Sequence, residues 1–264
     1  MDTAQVKSID SLRRGLDVLA LLSEAGTLQL KELHEASGIP KASLLRILRT
    51  LIEAGRVQRR LGDGAYMALG ARRATRARPA GAARLEELLP VALRALAQTL
   101  PWPSDVGVCT GSRMRVIDSN RQAYGASWRP SVIGAEVDLM DSALGRAFLA
   151  FTPEPARAGL IEGQWREGGS RARRREAFQK ELQLTLARGY GSRDGGYPGP
   201  DSHHGRRLSS VAVPVLARGQ AVASISCVWN VESTTREAVL DRCLAHLVRQ
   251  ATWVGLRLEA GSAS

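Results

Sequence analysis

Residues 38–54 read GIPKASLLRILRTLIEA, and this stretch decides the fold of the first part of the chain. Gly38-Ile39-Pro40 is a break between two helices, because proline interrupts a helix from within but suits the first turn of the next one. From Lys41 to about Ala54, apolar side chains recur at helical spacing, which predicts an amphipathic helix. The predicted buried stripe is Leu44, Ile47, Leu48, Leu51 and Ile52, and the opposite face holds Ala42, Arg46, Arg49 and Glu53.

Segments on both sides complete a small module. Upstream, residues 11–23 are expected to form a helix and residues 31–37 a second, shorter one. Downstream, two strand-like runs at residues 57–61 and 65–69 flank Gly62-Asp63-Gly64, which is a good tight-turn sequence. Helical spacing places Leu12, Leu16, Leu19 and Leu22 or Ser23 on one face of the first helix. Two helices about a short glycine-containing turn, followed by a basic hairpin, predict a winged helix-turn-helix over residues 1–70.

The charge of the chain points to a polyanionic partner. Its 264 residues include 37 Lys and Arg against 26 Asp and Glu, which gives a net charge of +11. Residues 1–78 hold 14 of the basic and 8 of the acidic residues, so the positive charge is densest around the predicted module. A basic surface attracts nucleic acid, and an anionic membrane surface is the alternative partner.

The candidate DNA contacts lie on the third helix and on the hairpin. A helix fits the major groove, where arginine reads guanine and serine reads bases or phosphates, while arginines on a hairpin attract the phosphate backbone. The predicted contacts are Lys41, Ser43, Arg46, Arg49, Arg59 and Arg60. The alternative is a solvated amphipathic helix whose arginines have no partner.

The remainder of the chain predicts a separate α+β domain over residues 101–264. Residues 71–100 indicate a linker that starts with a basic run and ends in an Ala/Leu-rich helix interrupted at Pro90. Strands and helices then alternate, one helix being expected to begin at Asp141 as its cap, and the chain ends with two adjacent strands and a long helix. Gly191–Arg207 is a long polar loop, and loops of this length are often functional.

The sequence lacks the common motifs of catalytic, nucleotide-binding and metalloprotease sites. Cys109, Cys227 and Cys243 are scattered and odd in number, which fits neither a disulfide framework nor a zinc site and suits a reducing cytosol. The segment Asp201–His204 resembles a metal corner, but a solvated loop is the favoured interpretation. No apolar run approaches the ~18 residues of a membrane-spanning helix. We therefore expect a cytoplasmic protein with no catalytic residues, no cofactor, no metal and no membrane contact.

Several motifs, in the expected order, resemble the IclR family of bacterial transcription regulators. In the first module, the resemblance rests on residues 15–19, 33–41, 46–48 and 50–51. In the second part, it rests on residues 142–147, 188–190 and 211–215. The match spans about residues 8–255. Within the family, residues 101–106 and 189–191 look most like the subgroup of MhpR, a regulator of phenylpropionate catabolism.

The resemblance implies a GAF-like α/β effector-binding domain, a homodimer or a dimer of dimers, and a small, often carboxylate-bearing metabolite as effector. The subgroup makes an aromatic carboxylate the expected metabolite. Carried over motif by motif, the resemblance implies effector contacts at Ser142, Asp194, Ser210, Ser226 and Val228. The alternative for the serines is that they are ordinary residues of a sheet.

These observations favour a DNA-binding transcriptional regulator whose affinity for a pseudo-palindromic operator responds to a metabolite. Two other functions stay open. One is a constitutive DNA-binding protein whose second domain only dimerises. The less favoured one is a small-molecule enzyme, which would turn over the acid that a regulator only binds.

Overall fold

The computed structural model describes residues 9–60, 62–68, 82–125, 128, 132–167, 172–194 and 207–261. The chain forms two compact units, Met1–Glu87 and Leu88–Ser264, and the division between them falls inside the helix Ala82–Thr99. The basic run and the candidate metal corner, at residues 71–78 and 201–204, lie outside the described residues. The three-part division expected from the sequence, with boundaries at residues 70 and 100, remains a prediction.

The first unit is a three-helix module with a small antiparallel sheet. Its helices are α1 (Asp10–Ala25), α2 (Leu30–Ser37) and α3 (Lys41–Glu53). Its strands are β1 (Thr27–Leu28), β2 (Val57–Arg59) and β3 (Tyr66–Ala68), in the order β1-β3-β2. One apolar cluster forms the core, and its buried members are Val18, Leu22, Leu33, Ile39, Leu44, Leu48, Val57 and Tyr66. The predicted helix-turn-helix and its hairpin are therefore present, and β1 adds a third strand to the hairpin.

Backbone geometry and one histidine fix the turn between α2 and α3. Gly38 has a φ of +67°, the left-handed conformation that glycine adopts without strain, and its N–H donates to the His34 carbonyl. The His34 ring donates from Nδ1 to the Ile39 carbonyl oxygen at 2.8 Å. Pro40 then directly precedes the first residue of α3. The break predicted from residues 38–40 is therefore the turn that sets the direction of α3.

The apolar face that helical spacing marks on α1 meets the core only in its C-terminal half. Val18 and Leu22 are fully buried in the core, whereas Leu12 and Leu16 are exposed. The helix has apolar residues on two adjoining sides, and helical spacing alone cannot select the side that meets the core. Val18 was missed because it lies next to the predicted stripe rather than in it.

The helix α4 (Ala82–Thr99) runs through Pro90, where the sequence predicted an interruption. Pro90 has no N–H, so the carbonyl of Glu86, four residues before it, loses its usual helical donor. The Gln58 side chain on β2 donates from Nε2 to that carbonyl at 3.4 Å. The Gln58 side chain therefore replaces the N–H donor that Pro90 lacks, and the helix continues past the proline.

The second unit is built on a six-stranded antiparallel sheet in the order β6-β5-β4-β9-β8-β7. Its strands are β4 (Ser104–Thr110), β5 (Arg113–Ser119), β6 (Glu136–Asp138), β7 (Gly191–Arg193), β8 (Leu208–Ala217) and β9 (Gln220–Asn230). Its helices beyond α4 are α5 (Ala143–Ala150), α6 (Ala156–Glu167), α7 (Ala172–Arg188) and α8 (Arg236–Ala260). The first three residues of the predicted long loop thus form a strand, β7, which pairs with β8.

Helices lie on both faces of this sheet. The helix α5 packs on the face that carries Gly191, because a side chain at Gly191 would stand 2.5 Å from the Ala143 carbonyl oxygen. The helix α8 lies on the other face, because its Cys243 thiol interacts with the Cys227 thiol of β9. Since successive side chains of a strand alternate between faces, every residue of β8 and β9 belongs to the α5 face or to the α8 face.

Candidate nucleic-acid interface and effector site

The outward face of α3 carries the basic residues predicted to contact DNA. Lys41, Arg46 and Arg49 are exposed, whereas Ser43 is half-buried. Ile52, which was predicted to be in the buried stripe, is also exposed. Neither Lys41 nor Arg46 has an ion-pair partner in the part of the chain that the structure describes. Their charges are therefore available to a polyanion.

Arg49 and Arg59 are exposed but already hold contacts. Arg49 donates from Nε to Glu53 Oε1 at 2.9 Å, and such a surface pair contributes little stability, so a phosphate can replace the carboxylate. Arg59 donates from Nε to the Gly64 carbonyl at 3.0 Å, and its guanidinium stands 5.8 Å from the centre of the Tyr66 ring. These contacts hold Arg59 along the hairpin with its charge exposed.

Arg60 is built into the turn of the hairpin. It donates from Nε to Asp63 Oδ1 at 3.1 Å, and its Nη2 contacts the other oxygen of the same carboxylate. Asp63 Oδ1 also accepts from the Ala65 N–H at 3.1 Å, and Gln29 donates from Nε2 to the Asp63 carbonyl at 3.1 Å. Asp63 therefore balances the charge of Arg60, and the pair shapes the wing.

Two exposed residues of this surface were not predicted. Leu45 lies one residue before Arg46 and is 47% exposed, which suits an apolar contact with a thymine methyl group. Arg56 lies three residues beyond Glu53, the last residue of α3, and is exposed. Helical spacing places Leu45 four residues before Arg49 and could have indicated its outward position. The position of Arg56 depends on how the chain leaves α3, which spacing does not show.

Three of the five predicted effector residues meet on the α5 face of the large sheet. Ser210 pairs with Val228, and Ser226 lies two residues before Val228 on the same strand, so the three side chains share one face. All three are buried. Arg193 of β7 pairs with Ser210 and adds a buried guanidinium to the same face. The Ser210 hydroxyl beside a guanidinium supplies donors that an anion needs, whereas the Ser226 hydroxyl donates its hydrogen to the Asp105 carbonyl oxygen.

A buried ion pair lies next to Ser226 and was not predicted. Asp105 of β4 pairs with Ser226 in register, and its carboxylate accepts from Arg121 Nε at 2.9 Å and Nη2 at 2.7 Å. Ser119 adds a hydroxyl donor at 2.7 Å, and the Arg121 guanidinium stands 5.8 Å from the centre of the Trp128 ring. Asp105 and Arg121 are 4% and 5% exposed. The only indication of this ion pair in the sequence is Asp105 itself, a charged residue in a strand that is otherwise uncharged.

Ser142 is the N-cap of α5. Its hydroxyl accepts from the Gly145 N–H at 3.0 Å and donates to the Asp138 carbonyl. The expected cap, Asp141, is therefore wrong by one residue. Because the Ser142 hydroxyl donates its only hydrogen within the chain, its first role is to fix the start of α5.

Asp194 directly follows β7, at the start of the predicted loop. Its side chain is exposed and forms an ion pair with Arg236 in the first turn of α8. An exposed carboxylate with a basic partner is unsuited to hold an anionic ligand by itself. Residues 195–206, which complete the predicted loop, lie outside the described part of the chain.

Three groups with a raised pKa are poor nucleophiles at neutral pH. Burial raises the pKa of Cys109 to about 11 and that of Tyr124 to about 12. A hydrogen bond with Cys243, together with burial, raises the pKa of Cys227 well above its usual range. All three groups are therefore protonated at pH 7, and a thiol must ionise to react. Within the described ranges, no cluster of His, Cys, Asp and Glu could hold a metal, and no helix could cross a membrane.

Two protein-family models match most of the sequence. Residues 11–61 match the IclR helix-turn-helix domain, and residues 82–254 match the C-terminal domain of the bacterial transcriptional regulator IclR. The chain belongs to the IclR family of bacterial transcriptional regulators. It is similar to HTH-type transcriptional regulator TsaQ1/TsaQ2 of Comamonas testosteroni, with 28% identity over 225 residues that cover 80% of this chain and 74% of that protein. The family consists of regulators, which confirms that this chain is not an enzyme.

Solved structures of IclR proteins share the fold. An IclR family transcriptional regulator from Brucella abortus is 23% identical, with a TM-score of 0.53 over 98% of this chain and 94% of that one. An IclR homolog from Microbacterium hydrocarbonoxydans, complexed with 4-hydroxybenzoate, is 17% identical, with a TM-score of 0.51 over 95% of this chain and 100% of that one. The predicted fold, an N-terminal helix-turn-helix followed by an α/β domain, is confirmed.

Proposed function

We propose that this IclR-family regulator binds a pseudo-palindromic operator in double-stranded DNA as a homodimer or dimer of dimers, and that a small aromatic carboxylate changes its affinity for that operator. The outward face of α3 carries the DNA-binding part of the proposal. Lys41 and Arg46 are exposed there without a carboxylate partner in the described residues, on a helix whose other side is anchored in the core. We place the protein in the cytoplasm, where it would meet DNA.

In this arrangement, the basic residues have different tasks. Arg46 and Leu45 lie where α3 enters the major groove and read base edges, while Lys41 and Arg49 contact bases or phosphates. The half-buried Ser43 contributes a hydroxyl at the edge of the face. Arg59 attracts the backbone beside the groove. Arg60 acts through the wing turn that it forms with Asp63, and this refines its predicted role as a direct contact.

Replacing Arg46 by alanine should weaken operator binding by roughly 10- to 100-fold, because a bidentate arginine–guanine contact is worth about 1–3 kcal/mol. The preference for guanine at one operator position should relax at the same time. The measurement is a titration of the full chain against duplexes selected from a random pool by the unsubstituted protein, at ~0.15 M salt.

The matched control for this substitution is Lys31→Ala. Lys31 is exposed on α2 rather than on α3, where it pairs with Glu35, and its removal deletes the same charge. Affinity should then change only slightly and sequence preference should stay unchanged. Equal losses in Arg46→Ala and Lys31→Ala would mean that net charge alone drives binding, and the proposed groove face would be wrong.

The α5 face of the second unit supports the effector part of the proposal. Ser210 offers a hydroxyl, Arg193 offers a cation, and Val228 offers an apolar surface beside them. The Ser226 hydroxyl donates its hydrogen to the Asp105 carbonyl oxygen at 3.3 Å, so it can only accept from a ligand. This combination suits a ligand with a carboxylate at one end and a ring at the other. The bound 4-hydroxybenzoate of the Microbacterium homolog belongs to the same ligand class. Ser142 would act by positioning α5, and Asp194 stays a prediction as an effector contact.

Replacing Ser210 by valine should weaken the binding of an aromatic acid about tenfold. The reason is that one hydrogen bond from this buried hydroxyl to the ligand contributes about 1–1.5 kcal/mol to the free energy of binding. The measurement is calorimetric titration of the full chain with 4-hydroxybenzoate and with 3-phenylpropionate. The control is Thr252→Val, which removes an exposed hydroxyl on α8. Saturable binding that also shifts operator affinity supports a coupling of about 1–3 kcal/mol. Binding of neither acid would favour a second unit that only dimerises.

A further inference from the structure

The outer face of the wing strand β2 is covered, although β2 lies at the edge of its small sheet. Val57 points into the core of the first unit, so Gln58, the next residue, points to the opposite face. A polar side chain on that face is expected to be exposed, yet Gln58 is only 8% exposed. Its cross-strand partner Met67 is half-buried. Another element therefore covers the outer face of the wing at this position.

The covering element is the start of α4. The Gln58 Nε2 donates to the Glu86 carbonyl oxygen at 3.4 Å, and this is the carbonyl whose helical donor Pro90 cannot supply. A proline ring also crowds the carbonyl four residues before it, and so turns that oxygen away from the helix. Pro90 thus frees an acceptor, and the buried amide of Gln58 uses it. We call this contact between Gln58 and Glu86 the wing tie.

The wing tie lies wholly within the first unit. The two compact units divide between Glu87 and Leu88, inside the turn 86–90 that lacks a backbone hydrogen bond. A helix bends most readily where a proline interrupts its hydrogen bonds. The wing tie joins β2 to the N-terminal side of this turn. It therefore does not depend on how the turn bends.

The residue after Gln58 carries the charge that the wing presents to DNA. The contacts of Arg59 with Gly64 and with the Tyr66 ring lie within the same hairpin, so they move with it. On its β3 side, the hairpin is held by pairing with β1 and by the Gln29 amide. The wing tie is a side-chain hydrogen bond on the β2 side, one residue from Arg59. A shift of β2 would therefore carry the Arg59 guanidinium with it.

We infer that Gln58 is a positioning residue for operator binding, which holds β2 against α4 through the wing tie and so keeps Arg59 in reach of the DNA backbone. The inference rests on the proposed function, since Arg59 has this task only if the module binds DNA. Gln58 itself does not need to touch DNA, because its amide is buried and donates within the chain. Pro90 belongs to the same arrangement, because without it α4 would supply its own donor to the Glu86 carbonyl.

Gln58→Met removes the donor and nearly keeps the size of the side chain. In titrations of the full chain against operator duplexes, affinity should fall about two- to fivefold, because an exposed ion pair is worth little more than this. The slope of log affinity against log salt should become shallower by about one, the contribution of one phosphate contact. The matched control is Gln98→Met at an exposed position on α4, which should change neither quantity.

A double-variant cycle shows whether Gln58 acts through Arg59. In an Arg59→Ala background, Gln58→Met should change neither the affinity nor the salt slope, because no charge remains to be positioned. If the two losses of affinity multiply instead, the positioning role is wrong. The cycle separates positioning from a general effect on stability, since a destabilised module would lose affinity in both backgrounds.

Pro90→Ala tests the acceptor in the absence of DNA. Alanine restores an N–H at position 90, so α4 takes back the Glu86 carbonyl and the wing tie weakens. Hydrogen exchange in peptides that contain β2 and β3, measured by mass spectrometry on the full chain, should become several-fold faster in Gln58→Met and in Pro90→Ala. The double variant should exchange no faster than either single one. Peptides from α3 should keep their exchange rates, because the core of the module stays folded.

The two kinds of measurement distinguish this inference from the proposed function. Unchanged hairpin exchange in Gln58→Met would overturn the wing tie, as would faster exchange in α3 to the same extent as in the hairpin. A chain that binds operator DNA but shows either result would retain the proposed function and lose this inference. A chain that binds no duplex would overturn the proposed function and with it the role of Gln58 in DNA binding, even if the hairpin exchanges faster.

Discussion

Replacing Asp105 by alanine should lower the free energy of unfolding of the second unit by about 3–5 kcal/mol, because the substitution leaves the buried Arg121 guanidinium without its carboxylate. The melting temperature should fall by roughly 6–20 °C for a unit of this size. The transition can be followed by tryptophan fluorescence, since all five tryptophans of the chain lie beyond residue 88. The signal therefore reports the second unit and is blind to the first.

A second variant shows whether the loss comes from the unpaired charge or from the missing side chain. In Asp105→Leu with Arg121→Met, both charges are gone and apolar groups of similar size replace them. Most of the lost stability should return, because a buried pair adds little net stability compared with good apolar packing. Equal stabilities of this double variant and of Asp105→Ala would point to packing rather than charge.

The solvent-exposed counterpart is Arg115→Ala. Arg115 and Glu136 form an ion pair at 2.8 Å on the same sheet, with both side chains about half exposed. Surface pairs of this kind contribute about 0–1 kcal/mol, so this substitution should hardly move the transition. If the stability lost in Asp105→Ala is no larger than that lost in Arg115→Ala, water reaches Asp105. The buried ion pair of Asp105 and Arg121 then does not stabilise the second unit as proposed.

Asp105 and Arg121 illustrate where sequence reasoning stops. Alternation along one strand puts Ser226 and Val228 on the same face, because alternation is a local property. The partner of Asp105 lies sixteen residues away, beyond the next strand, and only the register of β4 with β5 brings the two together. Local patterns carry no record of such a pairing.

Helical spacing also failed to identify the buried side of a helix when two of its sides were equally apolar. In α1, the exposed Leu12 and Leu16 and the buried Val18 and Leu22 lie on adjoining sides of one helix, and only packing against α2 and α3 selects between them. The strand β7 was missed because its own sequence carries no strand pattern. Gly-Ser-Arg has no apolar alternation, and it becomes a strand only because β8 is there to pair with it.

Replacing Gly145 by alanine should lower the free energy of unfolding of the second unit by about 3 kcal/mol or more, at the upper end of what overpacking a core costs. A Cβ at this position would stand 2.3–2.5 Å from three backbone atoms of Leu139, and backbone atoms cannot rotate away as the end of a side chain can. Either α5 or the turn before it must move. The motif Ser142–Ala147 that indicated the family from sequence thus contains its glycine for a packing reason.

The matched control is Gly159→Ala, another replacement of a helical glycine in the same unit. Nothing among the described residues lies within 4 Å of a side chain at Gly159, so alanine there should stabilise α6 by about 0.5–1 kcal/mol. The two variants add the same methyl group, and opposite shifts in the fluorescence transition isolate the contact with Leu139. The Ser142 hydroxyl caps α5 through the Gly145 N–H, so a displaced α5 also loosens its own N-terminus. Aromatic-acid binding by Gly145→Ala should then weaken even at temperatures where the variant stays folded, and undiminished binding would show that the α5 face does not depend on this close approach.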